Sequence, residues 1–156
     1  MLDQVLERIR KESECCDSMQ GFQYTHSIGG GVGSGFTTLF MDNLRDWYPG
    51  RMVCNFSVIP SQLVTDTVME PYNTILSLHH LVRNSDLVLC FDNEAIYKPN
   101  NSYSEMNQTI VGAMKTITSP FRYKSTINND LRKLSFNLVP FLRMHFCLSS
   151  FASSVN

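Results

Sequence analysis

The sequence predicts an α/β fold built on a parallel β-sheet, and two features of the chain support this. Three short apolar runs read as strands, at Gly21–Ile28, Met52–Ile59 and Leu87–Phe91. Helical segments separate these runs, and strands joined by helices usually lie parallel in one sheet. The second feature is the glycine-rich run His26–Gly35, which follows the first strand and precedes a helix. In α/β folds, a strand, a glycine-rich turn and a helix in this order present backbone N–H groups to a phosphate.

The composition is that of a globular chain without an obvious charged partner. Its 156 residues, 43% of them hydrophobic, are enough for one domain with a buried core. The net charge of −1 indicates neither nucleic acid nor an anionic membrane as a partner. The start, Met1–Gln4, is too charged for a signal peptide, and no apolar run is long enough to span a bilayer. Five cysteines without metal-ligand spacing, including the adjacent Cys15 and Cys16, predict reduced and mostly packed thiols in a cytosolic protein, and no metal site.

The helices are predicted from the spacing of apolar residues. An amphipathic helix is expected over Leu2–Glu14, a second over Phe36–Tyr48 after the glycine run, and a third from Pro71 to about Val82. A long helix is expected from Tyr103, and its apolar face is marked by Met106, Ile110, Met114, Ile117 and Phe121. A further strand is predicted over Met144–Leu148.

The glycine-rich run resembles the phosphate loop of the tubulin family, Gly-Gly-Gly-Thr-Gly-Ser-Gly. It lacks the Gly-Lys-[Ser/Thr] of a P-loop and the register of a dinucleotide fingerprint. Four further segments recur in tubulin order, namely Gln20–Gln23, Glu70–Asn73, Asp92–Tyr97 and Val139–Phe141. The resemblance covers nearly the whole chain and is closest to the β-tubulins.

The resemblance implies a Rossmann-like, parallel-sheet GTPase-domain fragment. Residues 1–122 correspond to the second half of the GTP-binding domain, including the central helix. Residues 123–156 correspond to the loop, helix and first strand of a truncated intermediate domain. Compared with the family, the chain is expected to be truncated at both ends.

The resemblance also implies a guanine-nucleotide site whose phosphate-binding residues are Ser27, Gly30, Gly31, Val32, Gly33 and Ser34. Val32 replaces the family's threonine, so a hydroxyl donor is lost while the backbone N–H remains. The alternative for the run taken alone is a flexible glycine turn without a ligand.

The ribose and the base are expected to contact a second set of residues, downstream of the glycine run. The resemblance assigns Asp66 and Glu70 to the ribose, and Asn93, Tyr103 and Asn107 to the guanine base. Tyr103 would stack on the base, and Asn107, four residues further on, shares its helix face. The alternatives are solvated loop acids, a helix cap at Asn93, and a surface Tyr–Asn pair.

A shortened segment lies directly before the predicted base site. Residues 98–101 stand where tubulins continue a helix and a loop, and about two helical turns are missing. Pro99 would end a helix near Tyr97. This shortening could displace the face that carries Tyr103.

The function that the resemblance implies is binding of GTP or GDP and a structural role in cytoplasmic microtubules. Magnesium would accompany the nucleotide, with its protein ligands outside this chain. The implied partners are α-tubulin or other tubulin subunits, and tubulin-folding chaperones. No catalytic residue is expected, because Lys133 stands where α-tubulins carry a catalytic glutamate and lysine is a poor general base.

An alternative from another functional class remains open at this point. The chain could be a degenerate fragment without a ligand, or a fragment that captures α-tubulin or chaperones through exposed apolar surface. We expect that it neither polymerises alone nor enters microtubules efficiently, because a head-to-tail filament needs two competent faces on each subunit.

Overall fold

A four-stranded parallel sheet forms the centre of the computed structural model, which describes residues 2–61, 67–97, 102–123, 128–141 and 143–150. The strands are β1 (Gly21–Ser27), β2 (Met52–Ile59), β3 (Leu87–Asp92) and β4 (Phe146–Leu148), and they lie in the order β1-β2-β3-β4. The predicted parallel pairing of the first three strands is confirmed. The fold is α/β and Rossmann-like, as predicted.

Helices connect the strands and cover both faces of the sheet. A π-helical turn, Val32–Phe36, leads into the second helix without a break. Among the helices that the structure describes, none is long and apolar enough to cross a membrane. The helices are α1 (Leu2–Glu14), α2 (Thr37–Trp47), α3 (Glu70–Asn84), α4 (Asn93–Ile96), α5 (Tyr103–Ile117), α6 (Ser119–Arg122) and α7 (Leu131–Leu138).

The core lies on both sides of the sheet. On one side Phe56 and Phe91 pack against Ile110 of α5 and Leu134 of α7. On the other side the core is formed by a cluster of side chains from α2, α3 and the strands, namely Ile28, Met41, Leu81, Val88 and Cys90. Burial on both faces explains why these strands read as continuous apolar runs rather than as alternating ones.

The strand register brings the carboxyl ends of three strands to one edge of the sheet. Ser27 pairs with Val58, next to the end of β2, and Ile59 pairs with Asp92 at the end of β3. Ligands of open parallel sheets bind outside this edge. The edge therefore positions the candidate site.

The second and the long helix differ from their predicted bounds. The second helical segment begins near Gly31 rather than at Phe36, because the glycine run itself forms its first turn. The long helix ends at Ile117, and α6 follows separately after Thr118, with a proline in its first turn. Proline has no N–H to continue the ladder, so a helix with Pro120 restarts there.

The last described strand joins the sheet of the first three. The sequence analysis assigns Met144–Leu148 to the start of an intermediate domain. In the structure β4 pairs in parallel with β3, with Leu89 opposite Cys147, and its assignment to an intermediate domain stays a prediction. The division of the chain near residue 122 stays a prediction.

The cysteines are only partly packed. Cys54 and Cys90 are buried, and burial raises the pKa of the Cys54 thiol to about 12 and that of Cys90 to about 11. Cys15 and Cys16 are exposed, so the expectation of mostly packed thiols does not hold for these two. They follow the last residue of α1, where the chain turns back on the surface.

Candidate nucleotide site

Three segments that follow strands meet at the carboxyl edge of the sheet. The glycine turn follows β1, Ser61 lies just after β2, and α4 begins directly after β3. A hydrogen bond of 3.3 Å from Ser61 Oγ to Glu94 Oε2 links the second segment to the third. The structure thus brings together backbone and side-chain groups that are far apart in sequence.

The glycine turn presents open backbone at the start of a helix. Gly30 and Gly31 are exposed, and a Cβ added to either would meet no atom within 4 Å. Gly31 already has helical backbone angles, φ −59° and ψ −44°. A helix leaves its first N–H groups without intrahelical partners, and these groups carry the positive end of the helix dipole. The space above Gly30 and Gly31 can therefore accept an anion.

The other phosphate candidates have different surroundings. Ser27, the last residue of β1, is exposed, and Val32 is 77% exposed. Ser34 is only 3% exposed, and its N–H donates to the Gly30 carbonyl at 2.8 Å. Ser34 therefore closes the turn, and its burial does not favour the predicted direct contact with a phosphate.

Two glycines are required by close packing of the turn. A Cβ on Gly33 would lie 2.6 Å from the carbonyl oxygen of Ser27, and a Cβ on Gly29 would lie 2.9 Å from the side chain of Pro60. Real Cβ atoms do not approach so closely, so the bare backbone is needed at both positions. The turn is thus pressed against the end of its own strand and against the segment after β2.

A buried histidine, which the sequence analysis does not assign to the site, contacts the same turn. His26 Nδ1 lies 2.8 Å from the Gly33 carbonyl oxygen, and Nε2 lies 2.9 Å from Ser57 Oγ on β2. Burial lowers the pKa of His26 from its ordinary value of 6.5, and the hydrogen bond to Gly33 opposes this only in part. The ring is therefore neutral near pH 7. Its position in the glycine-run stretch was visible in the sequence, but its long-range partner Ser57 was not.

The first turn of α3 lies beside the glycine turn. Asn73 Nδ2 donates to the Gly29 carbonyl at 3.0 Å, and the Glu70 side chain lies 3.5 Å from the position of a Cβ on Gly29. The ribose candidate Glu70 is thus adjacent to the phosphate candidates. It also lines a cleft of about 860 Å³ together with Pro60, Ser61 and Tyr72. The other ribose candidate, Asp66, lies outside the described residues.

The base candidates lie on two helices. Asn93 is the first residue of α4, and the cap of that helix is Asp92, whose carboxylate accepts from the Glu94 N–H at 2.9 Å. The alternative of Asn93 as the cap is therefore wrong. Tyr103 and Asn107 lie one turn apart on α5 and both are exposed, Tyr103 by 67%. The linking residues 98–101 lie outside the described part of the chain.

The structure also places the residues considered for catalysis and for metals. Lys133 is exposed and its Nζ donates to Asn129 Oδ1 at 2.8 Å. No three His, Cys, Asp or Glu side chains converge as a metal site within the ranges that the structure describes.

Comparison with known sequences identifies the family. The profile of the Tubulin/FtsZ family GTPase domain matches residues 1–101 of the 156. The chain belongs to the Tubulin/FtsZ family. It is 49% identical to the tubulin beta chain of Porphyra purpurea and 49% identical to that of Candida albicans, in each case over 97% of its length. The predicted resemblance to β-tubulins is confirmed.

The chain spans about a third of the length of these curated relatives, namely 35% of the tubulin beta chain from Porphyra and 36% of that from Candida. The alignment with the Porphyra tubulin runs over 160 residues, more than the 156 of the chain, so the relative has residues here that the chain lacks. Such a difference is what the predicted shortening before Tyr103 requires.

Proposed function

We propose that this tubulin-family chain binds GTP or GDP at the carboxyl edge of its sheet. The observation that carries the proposal is the open glycine turn at the start of α2 and its π-helical extension. Gly30 and Gly31 are exposed, a Cβ on either would meet no atom within 4 Å, and they lie at the positive end of a helix dipole. The phosphates would lie over their N–H groups.

The remaining candidates continue the site away from the turn. Glu70 stands beside Gly29, so its carboxylate would accept hydrogen bonds from the ribose hydroxyls. Tyr103 and Asn107 share an exposed face of α5, where the ring would stack on guanine and the amide would bind its edge. Asn93 at the start of α4 would be a second amide for the base.

Mg²⁺ would enter as part of the nucleotide complex and be held by phosphate oxygens and water. Lys133 supplies no general base at neutral pH, so we propose binding without hydrolysis by the isolated chain.

Equilibrium dialysis of the 156-residue chain against labelled GTP with Mg²⁺ tests this function. We expect saturable binding at one site per chain, displaced by unlabelled GDP and not by ATP, because the two amides read the guanine edge. Equal displacement by ATP would contradict the assigned base contacts. Absence of saturable binding would contradict the function itself.

A second proposed function is association with other tubulin subunits in the microtubule cytoskeleton. The observation that favours it is an exposed apolar surface at the start of α3, formed by Val68, Met69, Tyr72, Ile75 and Leu76. Contiguous apolar surface of this kind marks interaction sites. Specific stable interfaces bury about 1,600 Å² with roughly 20–30 residues on each side, so these exposed side chains alone support a small contact rather than a polymer.

Co-sedimentation with assembling tubulin tests the second function. We expect little incorporation along the lattice, and retention of the chain by unpolymerised αβ-tubulin on a gel-filtration column. Saturable incorporation near one chain per dimer would contradict the expected absence of polymerisation. Retention by tubulin-folding chaperones and not by tubulin would point to capture during folding instead.

A further inference from the structure

His26 occupies one defined protonation state in the structure. The Gly33 carbonyl can only accept a hydrogen bond, so Nδ1 of His26, at 2.8 Å, carries the proton. In the neutral ring Nε2 is then the acceptor, and the Ser57 hydroxyl donates a hydrogen bond to it at 2.9 Å. The ring is 8% exposed and connects the glycine turn to the neighbouring strand β2.

The backbone bonds around Gly33 depart from those of an α-helix. In an α-helix the N–H of Thr37 would donate to the carbonyl of Gly33. Here the Thr37 N–H donates to the carbonyls of Val32 and Ser34. The Gly33 carbonyl accepts from His26 instead, and the turn takes π-helical geometry. Such single π-turns are frequent at functional sites.

A hydrogen bond and close packing link the π-helical turn to the open peptides. The Ser34 N–H closes onto the Gly30 carbonyl at 2.8 Å, so Gly30 to Ser34 form one hydrogen-bonded ring. Gly33 is also pressed against the backbone of Ser27. A displacement of the Gly33 carbonyl would therefore displace the peptides at Gly30 and Gly31.

We infer that His26 is a positioning residue for the nucleotide: by donating from Nδ1 to the Gly33 carbonyl, it fixes the π-helical turn that aims the N–H groups of Gly30 and Gly31 at the phosphates. This inference rests on the proposed function. The ring is buried and contacts the Gly33 carbonyl, so its role would be indirect, through the turn.

Three substitutions separate the roles of the two ring nitrogens. His26→Asn places an amide N–H donor near the position of Nδ1 and loses the contact to Ser57. His26→Gln places its amide near Nε2 and leaves the Gly33 carbonyl without its donor. Ser57→Ala removes only the contact to Nε2. If the Gly33 bond is the important one, His26→Gln has the large effect and the other two variants have small ones.

The first measurement needs no nucleotide. Amide hydrogen exchange at Ser34 and Thr37 reports whether the turn is held, and urea denaturation of each variant corrects for global stability. We expect exchange to become about tenfold faster in His26→Gln, because one neutral hydrogen bond is lost. In His26→Asn, which keeps a donor, exchange should stay within about threefold of the wild type. Equal exchange in both variants and the wild type would overturn the inference.

The second measurement is the dissociation constant of GTP by dialysis. We expect about a tenfold loss of affinity in His26→Gln, beyond any change in the folded fraction, and less than about threefold in His26→Asn. Equal losses in both variants, or an exchange effect without an affinity effect, would overturn the positioning role. If the wild-type chain binds no GTP although the variants differ in hydrogen exchange, the proposed function fails. His26 then only stabilises the turn, and its role in positioning the nucleotide is overturned as well.

Discussion

The phosphate half and the base half of the proposed site are held in place by different kinds of contact. The glycine turn receives hydrogen bonds from other elements, because His26 joins it to Ser57 of β2 and Asn73 of α3 donates to Gly29. At the base half, the N-terminus of α5 is capped by its own residues, since Ser102 and Glu105 bond reciprocally. Tyr103 and Asn107 lie on the exposed face that follows.

This difference shows which half the sheet itself positions. The parallel register fixes the ends of β1 and β2 relative to each other, so the turn that follows β1 is placed by the core. Helix α5 packs on the sheet through Ile110, whereas Tyr103 near its start is 67% exposed. We therefore expect the phosphate half to dominate both local stability and affinity.

The largest expected effect comes from filling the packed side of the glycine turn. Gly33→Ala forces a Cβ to within 2.6 Å of the Ser27 carbonyl oxygen, and we expect it to lower the free energy of unfolding by about 1–3 kcal/mol. The matched control is Gly35→Ala. A Cβ there meets no atom within 4 Å, so alanine should stabilise the helix by up to about 1 kcal/mol. Urea denaturation measures both, and equal stability of the two variants would mean that the turn is not tightly packed.

The next effect is expected on affinity without a loss of stability. Gly31→Asp puts a carboxylate into the open space above the turn, where it favours the helix dipole and repels phosphate. We expect the dissociation constant for GTP to rise at least about tenfold, while the free energy of unfolding stays unchanged or increases slightly. The control is Gly31→Asn, which has the same size and no charge. If the two variants bind GTP equally well, the phosphates do not lie over Gly31.

A smaller effect is expected from pH, again in the phosphate half. Because burial lowers the pKa of His26, the unfolded chain binds a proton at His26 below about pH 6.5 more readily than the folded chain does. Stability is therefore fully present above pH 6.5 and is lost as the pH falls below it, by at most about 1.4 kcal/mol per pH unit for this one group. The difference between the denaturation profiles of the wild type and His26→Asn isolates this contribution. Parallel profiles from pH 7 to 5 would show that His26 does not titrate differently on folding.

The smallest effect is expected in the base half. Tyr103 is 67% exposed, so Tyr103→Ala should change the free energy of unfolding by less than about 0.5 kcal/mol. Loss of its stacking on guanine should weaken GTP binding by several-fold, corresponding to about 1 kcal/mol. Tyr123→Ala, at a tyrosine that is 73% exposed and not assigned to the site, is the control. An identical affinity in the two variants would remove Tyr103 from the base site.

The sequence predicts those parts of the molecule that depend on local patterns. The continuous apolar runs of β2 and β3 specify buried parallel strands, and the glycine run marks the strand–turn–helix junction. The π-helical turn was not predictable from local spacing, because its Gly33 carbonyl accepts a hydrogen bond from the His26 side chain of β1, which also contacts Ser57 of β2. The place of β4 beside β3 is likewise set by tertiary packing.

Individual candidate residues show that tertiary structure also decides which residues of a motif are accessible. Ser34 belongs to the phosphate motif, yet its burial depends on the helix starting earlier than the apolar spacing indicates. Asp92 rather than Asn93 caps α4, because β3 extends one residue further than predicted. Family resemblance locates a site along the chain, whereas the fold decides which of its residues face the ligand.

Isothermal titration calorimetry of the 156-residue chain with GTP and with guanosine, both with Mg²⁺, tests most directly the claim that the phosphate half carries the affinity. We predict a GTP dissociation constant between about 1 μM and 1 mM and binding of guanosine at least about tenfold weaker. Binding of guanosine as tight as that of GTP, or no binding of GTP up to about 1 mM, would contradict the claim.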